Sequence, residues 1–279
     1  NSPGLSRSVN EHLAQGTEVF IAEMGTYGRG EIADLVSWIR PSISVLASIG
    51  PVHLERFGDL DTIVEAKSEI FSTSRTAIVN IDAYGLADEA DRLQVSGIEV
   101  LRCSSNDRTA DIVVLKDNQG LEVIVSGRQI LAGLVVDAAP TNVACAVAVA
   151  ATLGIPDAMI AQRLANLPTI EHRRQVLVSQ SGVTVIDDTY NSNPAGVAAA
   201  LETLSELDAH RKAVVTPGMV ELGHRQVAEN RRFGVDASLV ADDLVIVGRT
   251  NKSALIKGSR DGNARVHFVS RREDAVKWV

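Results

Sequence analysis

Residues 42–82 read SISVLASIGPVHLERFGDLDTIVEAKSEIFSTSRTAIVNID. An apolar run of strand length, Val45 to Ile49, leaves through a Gly-Pro turn, a helix-like stretch follows in DTIVEAKSEIF, and a second strand-length run spans Ala77 to Ile81. That succession is the sequence form of a parallel sheet covered by helices. Upstream, Val19 to Ala22 is another such run, and a helix-like segment from about Gly30 to Ile39 ends at Pro41. Downstream, short apolar runs between Ile112 and Val136 flank the turn DNQG, Asp117 to Gly120, and predict a hairpin or small antiparallel sheet beside the parallel core. The Ala-rich, almost charge-free stretch from Asn142 to Leu153, stopped by Gly154 and Pro156, predicts a buried helix, and a second helix runs to about Asn166.

The segment LPTIEHRR, with Pro168 and a charge cluster, reads as an interdomain linker. The boundary is placed near Ile170, giving domains 1–170 and 171–279. Strand-like runs then recur at Val183 to Ile186, Ala213 to Thr216, Leu244 to Gly248 and Val266 to Val269. Their starts lie roughly 20 to 30 residues apart, the length of a strand-helix unit. The fold class is therefore α/β: a mainly parallel sheet with a small antiparallel sheet, then an open Rossmann-like domain.

The chain has 279 residues, 45% hydrophobic and 22% charged, enough to bury a large core and unlike a disordered composition. Lys and Arg total 27 against 35 Asp and Glu, and the net charge of -8 argues against a nucleic-acid-binding surface. It leaves room for a local basic pocket around one phosphorylated small molecule. Cys103 and Cys145 are too few for a disulfide framework, and their apolar surroundings suit reduced cytosolic thiols. No stretch approaches the roughly 20 apolar residues of a membrane span, and the N-terminus lacks the regions of a signal peptide. A cytoplasmic protein without membrane insertion is expected. The first residues read as a loop, without an initiator Met, and the last, DAVKWV, as an unstopped helix, so a piece cut at both ends is expected.

Several residues are costly where the pattern puts them. Glu23 follows VFIA at the end of an expected strand, the edge where open α/β sheets bind ligands, and a carboxylate there commonly holds Mg2+. Its plainer reading is a helix cap. His53 repeats the geometry in the turn GPVH, with an ordinary structural role as the alternative. Lys67 lies on the inward stripe of its helix, since Ile63, Ile70 and Phe71 fall four before, three after and four after it. A buried ammonium must be paired or lose its proton, and a depressed pKa makes a lysine nucleophilic. The alternatives are a snorkelling stem or a salt bridge to Glu69 or another acid.

In VTVIDDTYNSNP, Asp187 and Asp188 end a strand, and Tyr190, Asn191 and Asn193 occupy a turn before a helix that Pro194 can start. Such a junction suits contacts to a ribose, a base or phosphates, although a cap with an Asx-turn would explain one of the Asn residues. Arg173 could reach a phosphate or be an ordinary linker charge. GTYGRG, Gly25 to Gly30, imitates a phosphate loop, yet no Gly-Lys-Ser or Gly-Lys-Thr triplet completes it here or elsewhere.

In order, the stretches AEMGTYGRGEIADL, IGPVHLERFGDLDTIVEAKSEIF, AIVNID, TNVACAVAVAATLGI, HRRQV, VTVIDDTYNSNP and PGMVELG resemble the Mur ligase family, and DDTYNSNP favours its MurF-type branch. The resemblance implies a central ATP-binding domain followed by a C-terminal ligase domain. It implies a cytoplasmic, monomeric enzyme of cell-wall synthesis that uses ATP and Mg2+ to join D-alanyl-D-alanine to a UDP-N-acetylmuramoyl-tripeptide through an acyl phosphate. By the same likeness Glu23 and His53 help bind Mg2+, and Lys67 matches a carbamylated lysine that bridges metal. Asn142 matches an Asn facing the nucleotide, Arg173 an arginine near the phosphates, and Asp188, Tyr190, Asn191 and Asn193 a loop that closes on ATP.

Three features depart from the family. Thr141 and Cys145 stand where His and a second Asn are usual, PGMVELG replaces a GDM form, and the GKT loop is missing together with the UDP-binding domain. The 279 residues alone are therefore expected to be inactive. Two other readings fit the residues: a Mur-type ligase of polyglutamate or cyanophycin kind, and a non-catalytic nucleotide-binding scaffold.

Overall fold

The computed structural model describes residues 2–51, 53–136, 138–167, 175–179, 182–189 and 192–278. The chain divides into two compact units, one of residues 1–50 and 56–168, the other of residues 51–55 and 169–279.

The first unit opens with α1 (Ser2–His12), α2 (Glu31–Ile39), β1 (Ile43–Leu46), the short α3 (Leu54–Phe57), whose first two residues count with the second unit, α4 (Leu60–Ser68), β2 (Thr76–Asn80), α5 (Leu86–Val95) and β3 (Glu99–Ser104). It continues with β4 (Ile112–Asp117), β5 (Gly120–Val125), β6 (Arg128–Leu134), α6 (Pro140–Thr152) and α7 (Asp157–Leu164). All six strands form one sheet in chain order. β1 to β4 pair in parallel, and β4, β5 and β6 continue antiparallel, so the antiparallel strands join the parallel ones through the β3–β4 pair.

Neighbouring residues of a strand face opposite sides, and on β2 both sides are covered. Ile78 packs with Val143 and Val147 of α6, whereas Ala77 and Val79 pack with Phe71 and with Leu86 and Leu93 of α5. The alanines of α6 let it lie close to the sheet, with Ala144 and Ala148 fully buried.

Two expected strands differ from the structure. β1 ends at Leu46, not Ile49, because Asn80 donates its side-chain amide to the Ala47 carbonyl at 2.7 Å and so ends the ladder. Val19 to Ala22 has no regular structure, and Val19, Phe20 and Ile21 are exposed. The sheet stops at β1, and among the described residues no strand pairs with its outer edge. An apolar run without a partner gains nothing by extending as a strand, because its backbone groups stay unpaired.

The second unit contains β7 (Gln175–Val178), β8 (Thr184–Asp187), α8 (Pro194–Glu206), β9 (Ala213–Thr216), α9 (Gln226–Val240), β10 (Asp243–Val247), α10 (Lys252–Gly258), β11 (Arg265–Val269) and α11 (Arg272–Trp278). β7 and β8 form an antiparallel pair, and β9, β10 and β11 a parallel sheet in the order β11-β10-β9. A core of Phe233, Ala237, Leu244, Ile246 and Leu255 lies between that sheet and α9 and α10. α9 and α10 approach closely at Gly258, where a Cβ would come within 1.9 Å of the Arg231 carbonyl oxygen.

Candidate functional site

In the first unit, α4 starts at Asp59, whose carboxylate accepts from the Thr62 amide at 2.7 Å. The helix buries Ile63 and Ala66, and Phe71 follows just past its end. Lys67 sits half-buried on that side. Among the described residues it has no ion pair, and burial pushes its ammonium below the usual lysine range. Glu69, the expected salt-bridge partner, is engaged elsewhere: it accepts from the Gly30 and Ala33 amides at 2.7 and 3.0 Å, at the start of α2.

That contact also settles the glycine-rich loop. The Tyr27 amide donates to Glu31 at 2.8 Å and the Gly28 amide to the Thr26 hydroxyl at 3.1 Å. Glu69 takes the amides at the helix entrance, where a phosphate would otherwise bind. The tyrosine amide holds the Glu31 carboxyl below the usual carboxylate range. GTYGRG is thus closed by carboxylates of its own chain.

Glu23 is exposed and, contrary to expectation, does not end a strand; it makes no hydrogen bond or ion pair among the described residues. Asn142 lies exposed in the first turn of α6. Cys145, three residues on, points into the core beside Cys103 and is 3% exposed, so it belongs to the packing of α6 on β3. The Cys145 thiol pushes the Cys103 thiol far up, which keeps Cys103 protonated.

In the second unit, His53 adopts a left-handed backbone conformation at φ 58° and its Nδ1 pairs with the carboxylate of Glu221, at φ 62°. Glu221 was not among the residues singled out from the sequence. Its loop, PGMVELG, is built rigidly. The Asn230 side chain accepts from the Met219 amide and donates to its carbonyl, both at 2.8 Å, and Asn251 donates to the Pro217 and Met219 carbonyls at 3.1 and 3.0 Å. Gly218 is required at φ 79°, and a Cβ there would lie 2.4 Å from the Asn230 oxygen. Met219 and Leu222 anchor the loop in the core, leaving Glu221 to turn toward His53.

Asn193 caps α8, its side-chain oxygen accepting from the Gly196 amide at 3.0 Å, and Pro194 is the first helical residue. The plainer reading of this Asn, as a cap, holds. The Asp188 carboxylate also lies at the first turn of α8, 3.3 Å from where a Cβ on Gly196 would stand, where the helix dipole favours an anion. Asp187 accepts from the Thr189 hydroxyl at 2.7 Å. Arg173, Tyr190, Asn191 and Ile170 lie outside the described residues.

Glu23, Lys67 and Asn142 thus belong to one unit, and His53, Asp188 and Asn193 to the other. Among the described residues no three or more His, Cys, Asp or Glu side chains converge as a metal site, and no helix is long and apolar enough to cross a membrane.

The chain belongs to the Mur ligase family. Residues 1–150 match the Mur ligase middle domain and residues 172–279 the Mur ligase, glutamate ligase domain. It is similar to the UDP-N-acetylmuramoyl-tripeptide--D-alanyl-D-alanine ligase of Mycobacterium tuberculosis, 32% identical over 83% of this chain and 48% of the relative. The Escherichia coli ligase of the same name is 30% identical over 90% of this chain and 56% of its own length. The chain spans about half the length of the curated relatives it matches. In fold it resembles MurF from Acinetobacter baumannii, with a TM-score of 0.75 at 23% identity over 95% of this chain and 58% of that one. It also resembles the Thermotoga maritima MurF ligase solved with ADP, with a TM-score of 0.74 at 24% identity over 98% of this chain and 68% of that one.

Proposed function

We propose that the chain serves an ATP-dependent amide ligase of peptidoglycan precursor synthesis. The reaction transfers the γ-phosphoryl group of ATP to the terminal carboxylate of a UDP-N-acetylmuramoyl-tripeptide. The amine of D-alanyl-D-alanine then attacks the acyl phosphate and releases inorganic phosphate. The observation that carries the reading is Lys67, a half-buried ammonium that no described residue neutralises. A scaffold gains nothing from such a group. A ligase gains a lysine whose depressed pKa exposes the neutral amine, and addition of CO2 with loss of a proton turns it into an anionic carbamate. The relatives' shared name supplies the choice of acid and amine.

The remaining roles follow the same reading. In donor chemistry Lys67 as carbamate and Glu23 each suit Mg2+, and so, in the other unit, does His53, an imidazole whose Nδ1 Glu221 already orients, so that Nε2 would be the ligating atom. Mg2+, when bound, supplies neutralisation of crowded phosphate and carboxylate charge. Asn142, Arg173, Asp188, Tyr190, Asn191 and Asn193 serve ATP, and Asn193 does so by holding the α8 entrance in shape. The setting is cytoplasmic and the ligase a monomer.

The test is Lys67→Ala in the intact ligase. Turnover falls by orders of magnitude and recovers in part when short carboxylates are added to replace the carbamate. Full turnover in the variant would remove Lys67 from the mechanism.

A further inference from the structure

On α10 and its flanks, Arg249, Lys252, Lys257 and Arg260 line one cavity of 540 Å³ together with Ile256 and Phe268. Among the described residues none of the four cations has an acidic partner. Elsewhere in the same unit Arg211 and Arg265 pair with Asp243, Arg225 with Glu229 and Arg271 with Asp274, so these four differ in lining one depression together without an acid among its lining residues. Such a grouping is unusual in a chain with 35 acidic residues against 27 basic ones. Lys252 and Lys257 lie on α10, Arg249 just before it and Arg260 in the turn that follows it, and all four line the same depression. Lys252 holds its ammonium 3.5 Å from the centroid of the Phe268 ring, which fixes that charge at the cavity wall. Arg249 comes two residues after Val247, the last residue of β10, so the depression opens near the carboxyl edge of the parallel sheet, where ligands of such sheets bind.

We propose that this cavity binds a small polyphosphate anion, a free di- or triphosphate or the phosphate tail of a nucleotide. Four unneutralised cations match a ligand with several charges rather than a single carboxylate. The depression is open to solvent, and its 540 Å³ leaves room for an anion of that size. Arg and Lys supply the donors that phosphate oxygens accept. An anion seated there supplies the negative charge that no lining residue supplies.

The experiment is calorimetric titration of the 279-residue chain with inorganic triphosphate at low salt. Three variants are compared: the charge reversals Lys252→Glu with Lys257→Glu on α10, the equal reversals Arg231→Glu with Arg232→Glu on α9, and Lys257→Gln alone. Saturable binding to the unaltered chain is expected. It weakens at least ten-fold in the α10 double variant, less than two-fold in the α9 variant, and about three-fold in Lys257→Gln, whose exposed position leaves the fold intact. Absence of saturable binding overturns the proposal, as does equal loss in both double variants, which would show attraction by net charge alone. Binding to phosphatidylglycerol vesicles without binding to free triphosphate overturns it too, by assigning the patch to a membrane surface.

Discussion

Lys67 and Asp243 are charged side chains withdrawn from water, one in each unit, and the fold surrounds them in opposite ways. Asp243 opens β10 with no exposed surface, and its carboxylate accepts from Arg211 at 2.6 Å, Arg265 at 3.0 Å and the His267 ring at 2.8 Å. The Arg211 guanidinium above all holds its carboxyl far below the usual carboxylate range. Lys67 has no counterpart to any of these partners. A charge that the protein neutralises itself is part of the architecture, whereas one left uncompensated waits for a ligand or a covalent change. The two groups therefore predict different phenotypes, one in stability and the other in turnover.

The largest effect expected is on turnover. In the intact ligase, Lys67→Met removes the group that charges the site and loses about 10²–10³-fold in kcat, the scale of deleting one electrostatic contributor to a transition state. Steady-state kinetics alongside a thermal melt checks it. A loss of kcat accompanied by an equally large loss of melting temperature would erase the distinction from Asp243.

Next comes Asp243→Ala, read by urea denaturation of the chain. Breaking a fully buried ion pair costs about 3–5 kcal/mol, but Arg211 and Arg265 are more than half exposed and can return to water. The expected loss is on the order of 2 kcal/mol. Acid makes the same point with the native sequence. A carboxylate whose folded pKa is depressed adds stability that is complete above its unfolded value of 3.8 and disappears as pH falls toward the folded one. The stability gap between the native chain and Asp243→Asn should therefore hold at neutral pH and narrow below pH 3.8. A gap that stays constant to pH 2 would mean that the carboxylate's charge is not what the arginines recognise.

These two groups also show what the sequence could disclose. Lys67 was legible because helix periodicity is local: Ile63 and Phe71, four residues to either side, mark the buried face, and both are buried. Asp243 was not, because Arg211, Arg265 and His267 come to it through the β9–β10–β11 register, from 22 to 32 residues away. Glu221 was hidden for the same reason, its partner His53 lying 168 residues away. Four strands of the second unit, β8 to β11, were read within a residue of their ends from apolar runs alone, whereas β7, whose Val176, Leu177 and Val178 are exposed, was missed. Val19 to Ala22 failed because a strand is defined by its neighbour, and its own composition cannot supply one.

The smallest effect is the most discriminating. An uncompensated, partly desolvated ammonium burdens the fold, so Lys67→Met, which keeps an unbranched apolar stem, should leave the chain as stable as before or stabilise it by up to about 1 kcal/mol. That corresponds to a rise in melting temperature of at most about 4 °C for a chain of this size. The pH dependence carries the sign. With a folded pKa lowered by burial, the native state sheds its proton before the unfolded state does, and native stability rises with pH from the depressed value up to 10.5. Any advantage of Lys67→Met should accordingly be largest near neutral pH and fade toward pH 10. An advantage independent of pH would locate the gain in packing. A destabilised variant would reveal a partner for Lys67 and collapse the contrast with Asp243.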